Sequence, residues 1–276
     1  MKLFNKVAIV GVGLIGGSMA LAIKRKGLAR EVVGVSRHKS TLSLAKKNRV
    51  IDRGSQGLDI IKGADLVILA TPVNTILRLA PDIFRLIPAG SIVTDVGSTK
   101  KEIAACLSKI FPNYVASHPL AGSEKRGVNN ACAGIFKNSL CILTPTGKTN
   151  PKALKKIGRL WHELGARIVF LRPDIHDKAL AFVSHLPHAI AFSLIGAIPG
   201  EYLKLGANSL KDTTRIALSD SCLWADIFLS NRKNMLEAIE SFQGSLFRIK
   251  SAIQKKDRKM LIKILKEAKK KRDILN

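Results

Sequence analysis

The sequence predicts an α/β domain built on a doubly wound parallel sheet, followed by an all-helical domain. Three observations carry this. Up to about residue 172, short β-branched runs alternate with helical stretches, and beyond it the strand signals stop. Several of the runs are apolar without alternation, as in strands buried on both faces. The first run also feeds directly into Gly11-Val12-Gly13-Leu14-Ile15-Gly16, a glycine pattern that opens a helix.

In chain order the expected strands are "KVAIV" (6–10), "EVVGV" (31–35), "DLVILA" (65–70), "SIVTDV" (91–96), "YVASH" (114–118), "CILTP" (141–145) and "RIVFL" (167–171). Helices lie between them. The clearest starts at Asn150-Pro151, a cap residue before a proline at the first helical position, and ends at Gly165. From "DKALAFVSHLPHAIAFSLIGAI" onward every long segment reads as helix. One of these runs unbroken through "DSCLWADIFLSNRKNMLEAIESFQGSLFRIKSAI", with an apolar stripe at Leu236, Ile239, Leu246, Ile249 and Ile253. The expected boundary divides residues 1–172 from 173–276. Long apolar helices with little sheet to cover call for a second copy of the chain, so a homodimer is expected.

Composition narrows the function. The chain has 276 residues, 46 Lys and Arg against 20 Asp and Glu, and a formal net charge of +26. Residues 250–276 hold eleven basic and three acidic side chains, spaced as an amphipathic helix with a solvated basic face. No nucleic-acid-binding signature accompanies the charge, so no specific nucleic acid is expected; a basic surface still concentrates anionic ligands. The four cysteines form no CxxC pair, which argues against a zinc site or a disulfide framework. They are expected as small core residues in a reducing compartment. The uncharged run from Val7 to Ile23 imitates a signal peptide, but its glycines belong to a phosphate-binding turn. A retained, cytoplasmic protein with no membrane span is the expectation.

The glycine pattern has mechanical content. Gly11 makes the tight turn, Gly13 lets a pyrophosphate approach, and Gly16 lets helix and strand pack closely; Leu14 and Ile15 complete the segment. The diphosphate would rest on the helix N-terminus, where free N–H groups and the dipole favour an anion. This is a Rossmann-type nicotinamide dinucleotide site. At the end of the second strand such sites usually carry an acidic residue that bonds the ribose 2′-OH. Here Ser36 removes the repulsion toward a 2′-phosphate and Arg37 supplies a planar cation, favouring NADP, with NAD possible. Thr71 and Pro72, after the third expected strand, should pass beneath the cofactor, and Ser98 in "TDVGSTK" should stand at a carboxyl end, the ligand edge of such sheets.

Among the six histidines, His118 ends a strand in "ASHPLAGSEKRG", where a catalytic group should stand, within reach of Ser98. His185 and His188 in "SHLPHA" share a helix face. The set "VGVGLIGGS", "TDVGSTK", "SHPLAGSEKRGV", "LTPT", "HD", "VSHLPHA" and "KDTTRIALSD…LW" resembles the prephenate and arogenate dehydrogenase family of tyrosine biosynthesis over nearly the whole chain. The resemblance implies NAD(P)-dependent oxidative decarboxylation of prephenate or arogenate in a homodimer, with no metal. By motif it implies His118 as the proton acceptor, Ser98 orienting it, Arg215 on a substrate carboxylate and His188 near the pyruvyl side chain. Glu124, Asp177, His185, Asp212 and Trp224 fall around the pocket. A polar residue at His188 favours prephenate over arogenate. Rivals of the same fold, the β-hydroxyacid dehydrogenases and imine reductases, place a catalytic Lys on a helix of the second domain, whereas here the candidate base is a strand-end His. "LGANSLKD" (205–212) departs from the family's glycine-rich run and puts the local loop geometry in question. With no regulatory domain after the helices, feedback through one is not expected.

Overall fold

The structure, a computed structural model, describes residues 2–122 and 125–275. The nucleotide-binding half runs β1 (Phe4–Val10), α1 (Leu14–Arg25), β2 (Ala29–Val35), α2 (Lys39–Lys47), β3 (Arg53–Ser55), β4 (Leu66–Leu69), α3 (Val73–Leu86), β5 (Ile92–Asp95), α4 (Lys101–Ile110) and β6 (Tyr114–Val115). These six strands form one parallel sheet in the order β3-β2-β1-β4-β5-β6. Strands β4 and β5 are buried at every position, which is why their sequence shows no alternation. Two apolar layers cover the faces. One gathers Ile9, Met19, Ile23 and Ile68 with Phe136 and Trp161; the other gathers Val10, Val67, Ile76, Ile83 and Leu107. The chain reverses direction along the sheet between β1 and β4, and the cleft outside the carboxyl ends there is the ligand edge.

The last two expected strands and half of the one before them do not join this sheet. The "YVASH" run splits at Ala116, and β7 (Ser117–Leu120) leaves to form a separate three-stranded sheet with β8 (Leu140–Leu143) and β9 (Arg167–Phe170). β7 runs antiparallel to β8, and β8 parallel to β9. This split lifts His118 out of the main sheet and sets it beside the end of β5. Between β8 and β9, α5 (Pro151–Glu163) is capped by Asn150 Oδ1, which accepts from the N–H of Lys152 and Ala153, and ends before Gly165 at φ 88°.

Then follow α6 (Pro173–Leu180), a single π-turn over Ala181–His185, α7 (Leu186–Gly196), α8 (Asn208–Thr214), α9 (Ser221–Ser230), α10 (Arg232–Gln254) and α11 (Arg258–Arg272). The expected unbroken helix from Ser221 is interrupted at Asn231, whose side chain is drawn inward instead of continuing the helix. The "LGANSLKD" stretch is a 3₁₀ turn at Gly200–Leu205 leading into α8. The chain forms two compact units, Met1–Asn231 and Arg232–Asn276, the second a hairpin of α10 and α11. Leu236, Leu246 and Ile253 of the apolar stripe stand exposed on the single chain.

Two expectations need correction. Only Cys141 is a core residue, whereas Cys132 and Cys222 are exposed; all four are free thiols. One segment, Pro173–Gly196, is by length and composition long and apolar enough to cross a membrane. Only 22% of its most apolar window is buried in this chain, yet His176 is tied to β7 and Asp177 to the start of α4 by hydrogen bonds. Those bonds make it a structural helix of the first unit.

Candidate active site

The cofactor end is built by β1 and α1. Gly11 turns the chain at φ 103°, where a Cβ would lie 2.5 Å from the carbonyl oxygen of Ala70. A Cβ on Gly16 would collide with the carbonyl oxygen of Gly11. Gly13, the N-cap of α1, faces open space, which leaves its N–H edge approachable by a diphosphate. Thr71 Oγ1, at the carboxyl end of β4, is buried without a hydrogen-bond partner among the described residues, so a ligand hydroxyl there would satisfy it. Pro72 caps α3. Beyond β2, Ser36 Oγ accepts from the N–H of His38, and the Arg37 carbonyl accepts from Gln56 Nε2 at 2.6 Å, holding this loop against β3 while the Arg37 side chain stays exposed. These residues fit a nicotinamide dinucleotide.

The chemistry end lies where β5, β7, α6 and α7 meet. Asp95 ends β5 fully buried, ion-paired with the equally buried Lys100 Nζ; it also accepts from Tyr114 OH at 2.7 Å and from Gly97 N at 2.8 Å. With the N–H of Ser117 at 3.4 Å, that makes four polar contacts on one carboxylate, which is what a buried charge requires. The motif "TDVGSTK" is thus a turn wrapped around its own ion pair, and nothing in its spacing announced this.

His118 on β7 is 8% exposed. Burial holds its imidazole well below the usual histidine range, and the neighbouring His176, Lys100 and His185 push the same way, so it is neutral at pH 7. Among the described residues no hydrogen bond joins it to Ser98. Its Nδ1 pairs instead with His176 Nε2 at 2.8 Å, and His176 Nδ1 pairs with Asp177 Oδ1 at 2.8 Å. Asp177 further accepts the N–H groups of Lys100 at 2.7 Å and Lys101 at 2.9 Å. Burial raises its carboxyl, but the bonds from His176 and these two amides outweigh that and lower it.

His176 and His188 are twelve residues apart. In an uninterrupted α-helix that spacing puts them about 120° apart; absorbing one residue in the π-turn reduces this to about 20°. Leu186 N donates to the Ala181 carbonyl across that turn. His188 stacks on Trp224, with ring centroids 3.5 Å apart, and donates Nδ1–H to the Ser184 carbonyl; among the described residues its Nε2 has no hydrogen-bond partner. His185 is 1% exposed; its Nδ1 accepts from Asn231 Nδ2 at 3.2 Å, and its Nε2 has no partner among the described residues. Asn231 also donates to the Asp177 carbonyl, so one amide ties the two histidine clusters together. Arg215 opens the short turn Arg215–Leu218, which packs on α7; its side chain is exposed, as is Asp212. Glu124 lies outside the described residues. Asn74 to Asp226 and Thr99 to Ser230 hydrogen bonds hold α9, and with it Trp224, against the sheet's ligand edge.

Burial pulls the pKa of His185 down to about 4, against an unfolded value of about 6.5. The unfolded chain therefore binds the extra proton between these values. The stability His185 contributes by staying neutral is present above pH 6.5 and is lost as pH falls toward 4. The loss amounts to about 3 kcal/mol from this residue alone. Urea midpoints at pH 7, 6 and 5 should fall in that order; a flat profile would contradict the burial argument.

A doubly wound dinucleotide fold with a buried histidine on β7, beside the end of β5, defines a nicotinamide-dependent oxidoreductase. Residues 19–170 match the family model described as prephenate dehydrogenase, nucleotide-binding domain, and residues 172–267 match prephenate dehydrogenase, dimerization domain. The chain belongs to the prephenate dehydrogenase family and is an NAD(P)-dependent, homodimeric dehydrogenase. It is 34% identical to a cyclohexadienyl dehydrogenase of Zymomonas mobilis, over 99% of this chain and 96% of that one. It is 33% identical to a prephenate dehydrogenase of Bacillus subtilis, over 98% of this chain and 76% of that one. Among solved structures, prephenate dehydrogenase from A. aeolicus in complex with hydroxyphenyl propionate and NAD+ superposes with a TM-score of 0.93 at 36% identity, covering 99% and 98% of the two chains. Synechocystis arogenate dehydrogenase superposes at 0.82 with 29% identity, covering 98% and 100%.

Proposed function

We propose that the chain converts prephenate to 4-hydroxyphenylpyruvate in the cytoplasm, with NADP preferred over NAD and arogenate as the alternative substrate. The observation that carries this is His118: a neutral, buried imidazole near the start of β7, beside the end of β5, whose Nε2 has no partner among the described residues. When bound, the nicotinamide supplies the hydride acceptor. His118 takes the proton of the ring hydroxyl, and Ser98 orients the hydroxyl. Aromatisation drives the loss of CO2, so the protein's task is to position the ring and handle one proton. Arg215 offers a fork of fixed donors to a substrate carboxylate. His188, with its ring held by Trp224 and Ser184, faces the side chain; His185, Asp212 and Glu124 complete the surroundings. The proposed division of labour falls after β9, with residues 1–172 holding the cofactor and 173–276 shaping the substrate pocket and dimer. The relatives that act on either substrate support the reading, as does the His-based site.

The cofactor preference rests on Ser36 and Arg37. Steady-state assays with prephenate or arogenate, each with NADP or NAD, test both choices at once. Turnover is expected with prephenate and NADP. The double change Ser36→Asp with Arg37→Ala should lower kcat/KM for NADP by at least about tenfold, because a carboxylate then opposes the 2′-phosphate and the cation is gone, while NAD is spared. A native preference for NAD would overturn the role of Arg37.

A further inference from the structure

We propose that His176 and Asp177 are positioning residues that fix the tautomer of His118 and share the proton it takes until the ring is aromatic. This deepens the reading of His118 as the base and rests on it. The directions of the hydrogen bonds follow from the acceptor at the far end. Asp177 accepts two backbone N–H groups at the start of α4 and is ionised, so it cannot donate. His176 Nδ1, 2.8 Å away, must therefore carry the hydrogen. His176 Nε2 is then a lone pair and accepts from His118 Nδ1, also at 2.8 Å. The remaining nitrogen of His118, Nε2, is left as a lone pair, the form a base needs.

The proton balance gives this chain a second task. The substrate O–H bond breaks toward His118 Nε2, and the carbinol hydrogen leaves as hydride for the nicotinamide. The ring's C–C bond to its carboxylate then breaks; CO2 departs, and the electron pair aromatises the ring onto the oxygen as phenolate. The product is a phenol, so the proton returns from His118 and none is released. Between the two transfers the imidazolium sits in a dry site facing Lys100 Nζ, whose charge opposes it; Asp95 and Tyr114 belong to the same cluster, and His185 lies beside it. Its Nδ1–H points at the His176 lone pair, and His176 is backed by Asp177, so the positive charge spreads toward a carboxylate.

The test uses the full-length protein with ¹⁵N-labelled histidine, reading tautomers from two-bond ¹H–¹⁵N spectra, together with kcat against pH. Wild-type His118 should be the Nδ1–H form. In Asp177→Asn the amide can donate, both rings reverse, and His118 should appear as Nε2–H with kcat down about a hundredfold or more and KM little changed. His176→Gln keeps one acceptor and one donor but takes no proton. It should retain the tautomer, lose about tenfold in kcat, and move the acidic limb of the kcat profile to lower pH. Cofactor titration confirms that each variant is folded. An Nε2–H form in the wild type, or an Asp177→Asn variant with unchanged tautomer and kcat, overturns the proposal. An inactive wild type with the Nδ1–H form would overturn the assigned substrate and leave the tautomer result standing.

Discussion

His118→Asn lowers kcat with prephenate by about 10²–10⁴ and leaves cofactor affinity within about twofold. Asparagine is the informative replacement. Its amide can still donate to His176 Nε2, so the buried ring keeps a partner and the fold is not charged with an orphan polar group. What disappears is the lone pair that receives the hydroxyl proton. Because that pair acts on a proton in flight and not on the bound ground state, KM should move far less than kcat. The site is rigid: β7 pairs His118 with Ile142 of β8, and Asp95 anchors the neighbouring Ser117 through its N–H. Steady-state rates together with a fluorescence titration of NADP separate the two effects. A variant with wild-type kcat would remove His118 from the chemistry.

Lys100→Met destabilises the protein by about 3–5 kcal/mol. Both members of the Lys100–Asp95 pair are fully buried, and removing the cation strands a carboxylate held by Tyr114 OH, Gly97 N and Ser117 N alone. The loss belongs to the unpaired charge more than to the bond itself. The double change Lys100→Met with Asp95→Leu should therefore recover a measurable part of it. Urea denaturation of the wild type, single and double variants decides the matter. A single variant within about 0.5 kcal/mol of wild type would mean that the pair contributes nothing measurable to stability.

Periodicity and glycine chemistry made much of the architecture legible. The β1–α1 turn, the buried strands β4 and β5 and the Asn150 cap all follow from local rules. The second sheet did not, because "YVASH" and "CILTP" look alike whether they extend the main sheet or leave it. The break at Asn231 was hidden for a related reason. A mid-helix asparagine reads as neutral until its amide is found bonded to Asp177 and His185, 54 and 46 residues away. His118 was expected at the end of a strand but is the second residue of β7, since the run breaks at Ala116, and the order of its partners was not visible at all. Ser98 is near in motif, whereas His176, 58 residues on, makes the bond. The "HD" pair stood in the sequence as a family resemblance with no contact to explain it. The buried partners of Lys100 are equally invisible to pattern, since a lysine after a Gly-Ser-Thr turn ordinarily points to water.

The π-turn at Ala181–His185 separates two instruments carried on one rod. Upstream lie His176 and Asp177, the proposed proton partners of His118; downstream lies His188, proposed to meet the substrate's side chain. One inserted or deleted residue within the turn would rotate the downstream part by about 100° while leaving the upstream part where it is. In this chain a shift of helical phase at the turn would thus re-aim the downstream face without altering the contacts made by His176 and Asp177.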